Sequence, residues 1–133
     1  MASIFSKIVA GEIPCYKIAE TDEFLAFLDV NPIAKGHTLV IPKQETDYIF
    51  ELDEELYLGL MRFAKKVAPA IESVVPCQRI GMSVVGLEVP HTHVHLIPLN
   101  TMADMDFSTK IKTSGEELTE LAAAIRQRME ESS

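Results

Sequence analysis

His91-Thr92-His93-Val94-His95-Leu96-Ile97-Pro98 places an imidazole at every second position. Alternate side chains of an extended strand share a face, so the spacing predicts three imidazoles on one side and Val94 and Leu96 on the other. This strand, Thr92–Pro98, is preceded by a second one over Arg79–Val85. Both follow a stretch in which Leu56, Leu60, Phe63, Ala64, Val67, Ile71 and Val74 recur at helical spacing behind Asp53, an N-cap residue. Pro69 interrupts that pattern and predicts a kink or an early stop.

Towards the start of the chain, Ser3 caps a short helix through Gly11 with Ile4, Phe5, Ile8 and Val9 on one side. Tyr16–Glu20 and Phe24–Leu28 read as strands around the polar connection Thr21-Asp22-Glu23, and Thr38–Pro42 as a third after the turn-like residues 31–36. Past the histidines, residues 100–113 read as a loop. Ser114-Gly115-Glu116-Glu117 then has the capping-box pattern for a final helix with Leu118, Leu121, Ala122, Ile125 and Met129 on its face. Strands grouped before and after one long helix predict an α+β fold. We expect one domain over residues 1–133, with an antiparallel sheet of about five strands, a long central helix and short helices at both ends.

Composition narrows the function. Twelve basic residues against twenty acidic ones give a formal charge of −8. Binding to nucleic acid needs clustered Lys and Arg to displace counterions, and no such cluster occurs. The apolar runs are too short to span a membrane. The first residues lack the pattern of a secretory signal, and Cys15 and Cys77 are too far apart in sequence for a Cys-x-x-Cys pair. Free thiols in a reducing compartment, and so the cytoplasm, are the expectation. If the partner is anionic, a small nucleotide fits this charge balance better than a long polyanion, and neither nucleic acid nor membrane is expected.

A row of histidines suits two chemistries. Neutral imidazoles are ready metal ligands. An imidazole is also a nucleophile towards phosphorus when its neighbours orient it and hold the developing negative charge. A chance cluster, or core histidines satisfied by carbonyls, is the weaker reading for three in strict alternation. The fourth histidine, His37, follows Gly36 at the start of the third strand, and sequence spacing alone does not bring it to the triplet. Lys43 reads as a solvated strand end, Cys77 as structural, and Ser83 has no Gly-x-Ser-x-Gly setting.

The run His91–Pro98 resembles the signature of the histidine triad (HIT) family: three histidines separated by single, mostly apolar residues, then two apolar ones. The likeness continues through Ile4-Phe5-Ser6-Lys7-Ile8-Val9, Glu12-Ile13-Pro14, Phe27-Leu28-Asp29 and Gly36-His37-Thr38-Leu39-Val40-Ile41-Pro42-Lys43, covering most of residues 4–98. It implies a nucleotide hydrolase or transferase acting on an α-phosphate, either a nucleoside phosphoramidase or a dinucleoside polyphosphate hydrolase. By that resemblance His93 is the nucleophile and forms a nucleotidyl-imidazole, its other nitrogen held by the carbonyl of His91. His95 would face the non-bridging phosphate oxygens, and His91 and His37 would complete the hydrogen-bond network. Asp29 matches the acidic residue on the ribose hydroxyls, while Ile4, Phe5, Ile8, Phe27 and Leu28 match the apolar slot for the base. Read without the resemblance, those five are core residues. It also implies a homodimer paired through the long helix and a strand. No metal is needed as a structural cofactor, since the family's zinc-binding members add a Cys-x-x-Cys pair that this chain lacks.

One stretch departs from the pattern. Where many members carry Gly-Gln-Ser or Gly-Gln-Thr, this chain has Gly86-Leu87-Glu88-Val89-Pro90, and the preceding loop lacks its Asn. Leu87 has no side-chain donor, and an ionised Glu88 close to phosphate would repel it. That departure keeps a nucleotide-binding module that has lost turnover as a rival to the hydrolase, and the row of histidines keeps a metal-dependent hydrolase as a third reading.

Overall fold

The computed structural model describes residues 2–132. Ser3 caps the first helix, α1 (Ile4–Val9), through a side-chain oxygen that accepts from Ser6 N–H. Three strands follow: β1 (Lys17–Glu20), β2 (Phe24–Leu28) and β3 (Thr38–Pro42). The long helix α2 (Glu54–Val74) begins at Asp53, whose carboxylate accepts from Leu56 N–H. Strands β4 (Arg79–Ser83) and β5 (Val94–Leu99) come next, and α3 (Gly115–Glu131) closes the chain with Ser114 as its cap.

The five strands form one antiparallel sheet in the order β1-β2-β3-β5-β4. The fold is α+β, as the element order predicts. Both faces of the sheet are covered, which explains why β2 and β3 are buried at every position. Phe24, Ala26, Leu28, Val40, Val94 and Leu96 point to the side taken by α2 and α3, where Leu60, Val67, Ile71 and Ile125 are fully buried. Each such side chain contributes on the order of 1.5–3 kcal/mol by leaving water. Leu25, Phe27, Leu39 and Ile41 point to the other side and pack with Phe5 of α1. The alternation along β2 and β3 thus separates a structural face from a face left to α1 and the histidines.

Three expectations need correction. Helix α2 runs through Pro69 to Val74, which excludes the early stop of the two outcomes expected there. Buried Ala70 and Ile71 continue the apolar stripe past the proline, while Pro69 and Lys65 one turn earlier are exposed, so the carbonyl that loses its donor lies on the solvent side. The third helix, α3, has 17 residues and is not short, because Leu118, Ala122 and Ile125 carry its buried stripe against α2 and β1. Strand β5 begins at Val94, so only His95 of the three histidines lies within it. Thr92 is instead drawn to the segment after β3, its N–H and its hydroxyl each donating to the Thr46 carbonyl at 2.7 Å.

Candidate functional site

All four histidines lie at the same end of the sheet face that α1 covers. His91, His93 and His95 are 0 %, 6 % and 8 % exposed and His37 is 1 % exposed, so any ring nitrogen that does not open onto the site must be satisfied inside the protein. The register supplies the bridge that sequence spacing lacked. Leu39 pairs with His95, and His37, two residues earlier on β3's side of the ladder, meets the His95 ring at a centroid distance of 5.1 Å. Gly36 makes this approach possible. It adopts φ +90°, and a Cβ there would lie 2.9 Å from Val75 Cγ2 and 3.2 Å from Pro98 Cγ.

The hydrogen bonds assign every tautomer. The backbone N–H of Ile33 donates to His37 Nδ1 at 3.1 Å, so His37 Nε2 carries the proton and donates to His95 Nδ1 at 2.9 Å. His95 must then carry its own proton on Nε2. His91 Nε2–H donates to the Pro42 carbonyl at 2.8 Å, which leaves Nδ1 to accept from the Ser3 hydroxyl at 2.8 Å. His93 Nδ1–H donates to the His91 carbonyl at 2.7 Å. Its Nε2 keeps a free lone pair. No buried side-chain nitrogen among the described residues is without a partner, so that atom lies at the surface of the site.

Burial keeps the supporting rings neutral. Desolvation pushes His95 down to about 3, and the neighbouring His37, His93 and Lys110 act in the same direction. Desolvation likewise takes His37 down to about 4, although the Asp29 carboxylate partly opposes it. His91 is also lowered, again chiefly by burial. A neutral imidazole with one nitrogen pinned as N–H and the other free can attack an electrophile; a neutral one with an outward N–H can donate to an anion.

The other sequence-predicted residues divide. Phe5 lies edge-on to His93 at 5.0 Å, to His91 at 5.9 Å and to Phe27 at 5.7 Å. Ile8 packs with them, and half-exposed Ile4 starts the same helix. Leu28 does not join this group. It is the next residue after Phe27 on a strand, so it points to the opposite face and is buried against the α2–α3 side. Asp29 lies beside the histidines, with Oδ2 3.6 Å from His37 Nε2 and Oδ1 accepting from Asn31 N–H at 2.8 Å. Leu87 and Glu88 are both exposed, so Glu88 faces solvent. Lys43 pairs with Glu20 at 2.7 Å. Cys15 and Cys77 are free, and burial raises both thiols, which makes them poor nucleophiles.

Several contributors had no signal in the sequence. Glu45 Oε1 accepts from Ser3 N–H at 2.6 Å and from the Ser6 hydroxyl at 2.7 Å, and these bonds hold its carboxyl down at about 2. The network therefore runs from Glu45 through Ser3 to His91, tying α1 to the histidine segment. Ser83, which has no hydrolase motif around it, stands opposite His95 in the β4–β5 ladder. Phe107 lies against His95 at a centroid distance of 4.8 Å.

Asp29, His37 and His95 bring three potential ligand atoms within 4.8 Å of one another, the one such metal-like group among the described residues. Their hydrogen bonds account for that proximity. With Ile33 N–H occupying His37 Nδ1, an ion on Nε2 would require an imidazolate, so the donor set suits a proton-bearing relay better than a metal.

Comparison with known proteins bears on this arrangement. The chain is 45% identical over 100 residues to the adenosine 5′-monophosphoramidase of Schizosaccharomyces pombe, covering 74% of each protein. Its fold matches the HIT-like protein of Bartonella henselae with a TM-score of 0.82 at 31% identity over 95% of both chains. It matches a zinc-bound histidine triad protein of Mycobacterium smegmatis with a TM-score of 0.85 at 25% identity, over 98% of this chain and 95% of that one. The HIT domain matches residues 10–102, and this protein belongs to the HIT family.

Proposed function

We propose that the protein is a nucleotide hydrolase that opens a nucleoside phosphoramidate or dinucleoside polyphosphate at its α-phosphate through His93. The single observation that carries this is the free Nε2 of the His93 ring, whose Nδ1–H is fixed on the His91 carbonyl at 2.7 Å. In the first step Nε2 forms a bond to phosphorus and the bond to the leaving group breaks. The leaving group departs with the electron pair and takes a proton from water. In the second step water attacks phosphorus and the P–N bond breaks; the proton it releases neutralises the hydroxide left by the first step, and a nucleoside monophosphate and neutral His93 result. His95 Nε2–H faces the non-bridging oxygens, His37 and His91 hold the tautomers, and Asp29 receives the ribose hydroxyls. Phe5, Ile8 and Phe27, with Ile4 at the rim, form the slot for a purine base.

The S. pombe relative's name supports the phosphoramidate substrate, and the intact histidine network weighs against a module that has lost turnover. The reading includes a homodimer. Its support is that β4 is an edge strand whose Met82 is exposed, with Val84 and Val85 exposed just beyond. Steady-state hydrolysis of adenosine 5′-phosphoramidate tests the role of His93. His93→Gly should lower kcat by at least about 10³-fold with the fold intact, as expected on loss of a covalent nucleophile; near-normal turnover would refute it.

A further inference from the structure

Past β5 the chain turns back over the histidines. Asp104 Oδ2 accepts from Asn100 N–H and Thr101 N–H at 2.7 and 2.9 Å, closing a 3-10 turn over Met102–Met105. Asp106 closes the next turn, its Oδ1 accepting from Ser108 N–H at 2.9 Å and from the Ser108 hydroxyl at 2.6 Å. Between these turns Phe107 is directed inward, with its ring 4.8 Å from His95 and 6.2 Å from His37. Ile111 N–H then donates to the Pro32 carbonyl at 2.9 Å, fastening the segment to the turn that carries His37. Lys110 is held between these two anchors. Its charge acts on both His37 and His95.

The site itself needs such a charge. Its supporting imidazoles are kept neutral by burial, Asp29 adds a carboxylate, and the chain as a whole carries −8. Leu87 and Glu88, in the loop before the histidines, offer no side-chain donor for phosphate. An anionic phosphate in this position gains from a cation on the strap.

We propose that residues 106–113 form a substrate-binding strap in which Lys110 holds the phosphate oxyanion on the His95 side and Phe107 shields that side from water. The proposal rests on the nucleotide reading above and adds a binding residue from outside the matched region. It also accounts for a site that tolerates Leu87 and Glu88, because the phosphate charge is met by the strap.

Titration calorimetry with adenosine monophosphate and with adenosine tests it on the full chain. The wild-type protein should bind the monophosphate more tightly. Lys110→Ala should weaken monophosphate binding about tenfold, the scale of a charge-assisted hydrogen bond, and leave adenosine within about twofold. Lys110→Arg should retain most of the difference. An unchanged ratio of the two affinities in Lys110→Ala would overturn the strap and leave the nucleotide reading standing. Equal loss for both ligands would make Lys110 merely structural and overturn it as well. Wild-type protein that binds neither ligand would overturn both proposals.

Discussion

Glu45 reaches the site without touching the proposed nucleophile. It holds Ser3 and Ser6, Ser3 donates to His91, and the His91 carbonyl fixes the Nδ1 proton of His93. The same three residues anchor the helix that carries Phe5, so base slot and nucleophile share one support. Glu45→Ala should therefore lower kcat/KM about tenfold, roughly the cost of one lost polar anchor. Glu45→Gln keeps an acceptor oxygen and should restore most of the activity. Comparing both variants by steady-state kinetics separates an anchoring role from a simple loss of surface charge. Equal activity in Glu45→Ala and wild type would show that the anchor is dispensable. None of this network was legible in the sequence, because Ser3, Ser6 and Glu45 become neighbours of His91 only through contacts spanning 39 to 88 residues.

At the level of elements, the turn between β2 and β3 does the positioning. Gly36 combines φ +90° with a close approach to Val75 and Pro98, and its neighbour His37 receives Ile33 N–H and bonds His95. Gly36→Ala forces a side chain into both constraints. It should cost about 1–3 kcal/mol of stability, read as a lower thermal midpoint, together with reduced turnover. An unchanged midpoint would contradict the packing described here. The elements themselves were largely readable: caps at Ser3, Asp53 and Ser114, and the alternation of β2 and β3, are local properties of the chain. What escaped sequence reading depended on tertiary contact. Buried Ala70 and Ile71 override the proline signal in α2, Thr92 is pulled out of the strand by Thr46, and residue parity on β2 sends Leu28 away from Phe27's side. The segment 100–113 reads as an extended loop because Phe107 gives no periodic pattern by which to be noticed.

For the whole molecule, the buried histidines link stability to pH. Their folded values lie below the ordinary 6.5, at about 4 for His37 and about 3 for His95. The unfolded chain therefore binds more protons through that interval. Stability from these groups is complete above about 6.5 and is lost as the pH falls towards about 4 and then 3. Urea midpoints should decline across this window in the wild-type protein. The decline should be shallower in a His37→Asn, His95→Asn double variant. Identical pH profiles would mean that the pair is not kept neutral by folding. The acidic surface also fits a small ligand recognised at short range. The chain carries −8, and among the described residues no helix is long and apolar enough to cross a membrane.

The central claim is that His93, through its free Nε2, becomes bonded to phosphorus during turnover. The most direct measurement is acid- and base-quenched mass spectrometry of the protein mixed with a slowly hydrolysed adenosine 5′-phosphoramidate. Because a phosphoramidate bond to imidazole is acid-labile, the account predicts an adenylyl adduct that survives base, is lost in acid and maps by fragmentation to His93. An adduct on another residue, or turnover with single-step inversion of configuration at phosphorus and no adduct at any time, would contradict it.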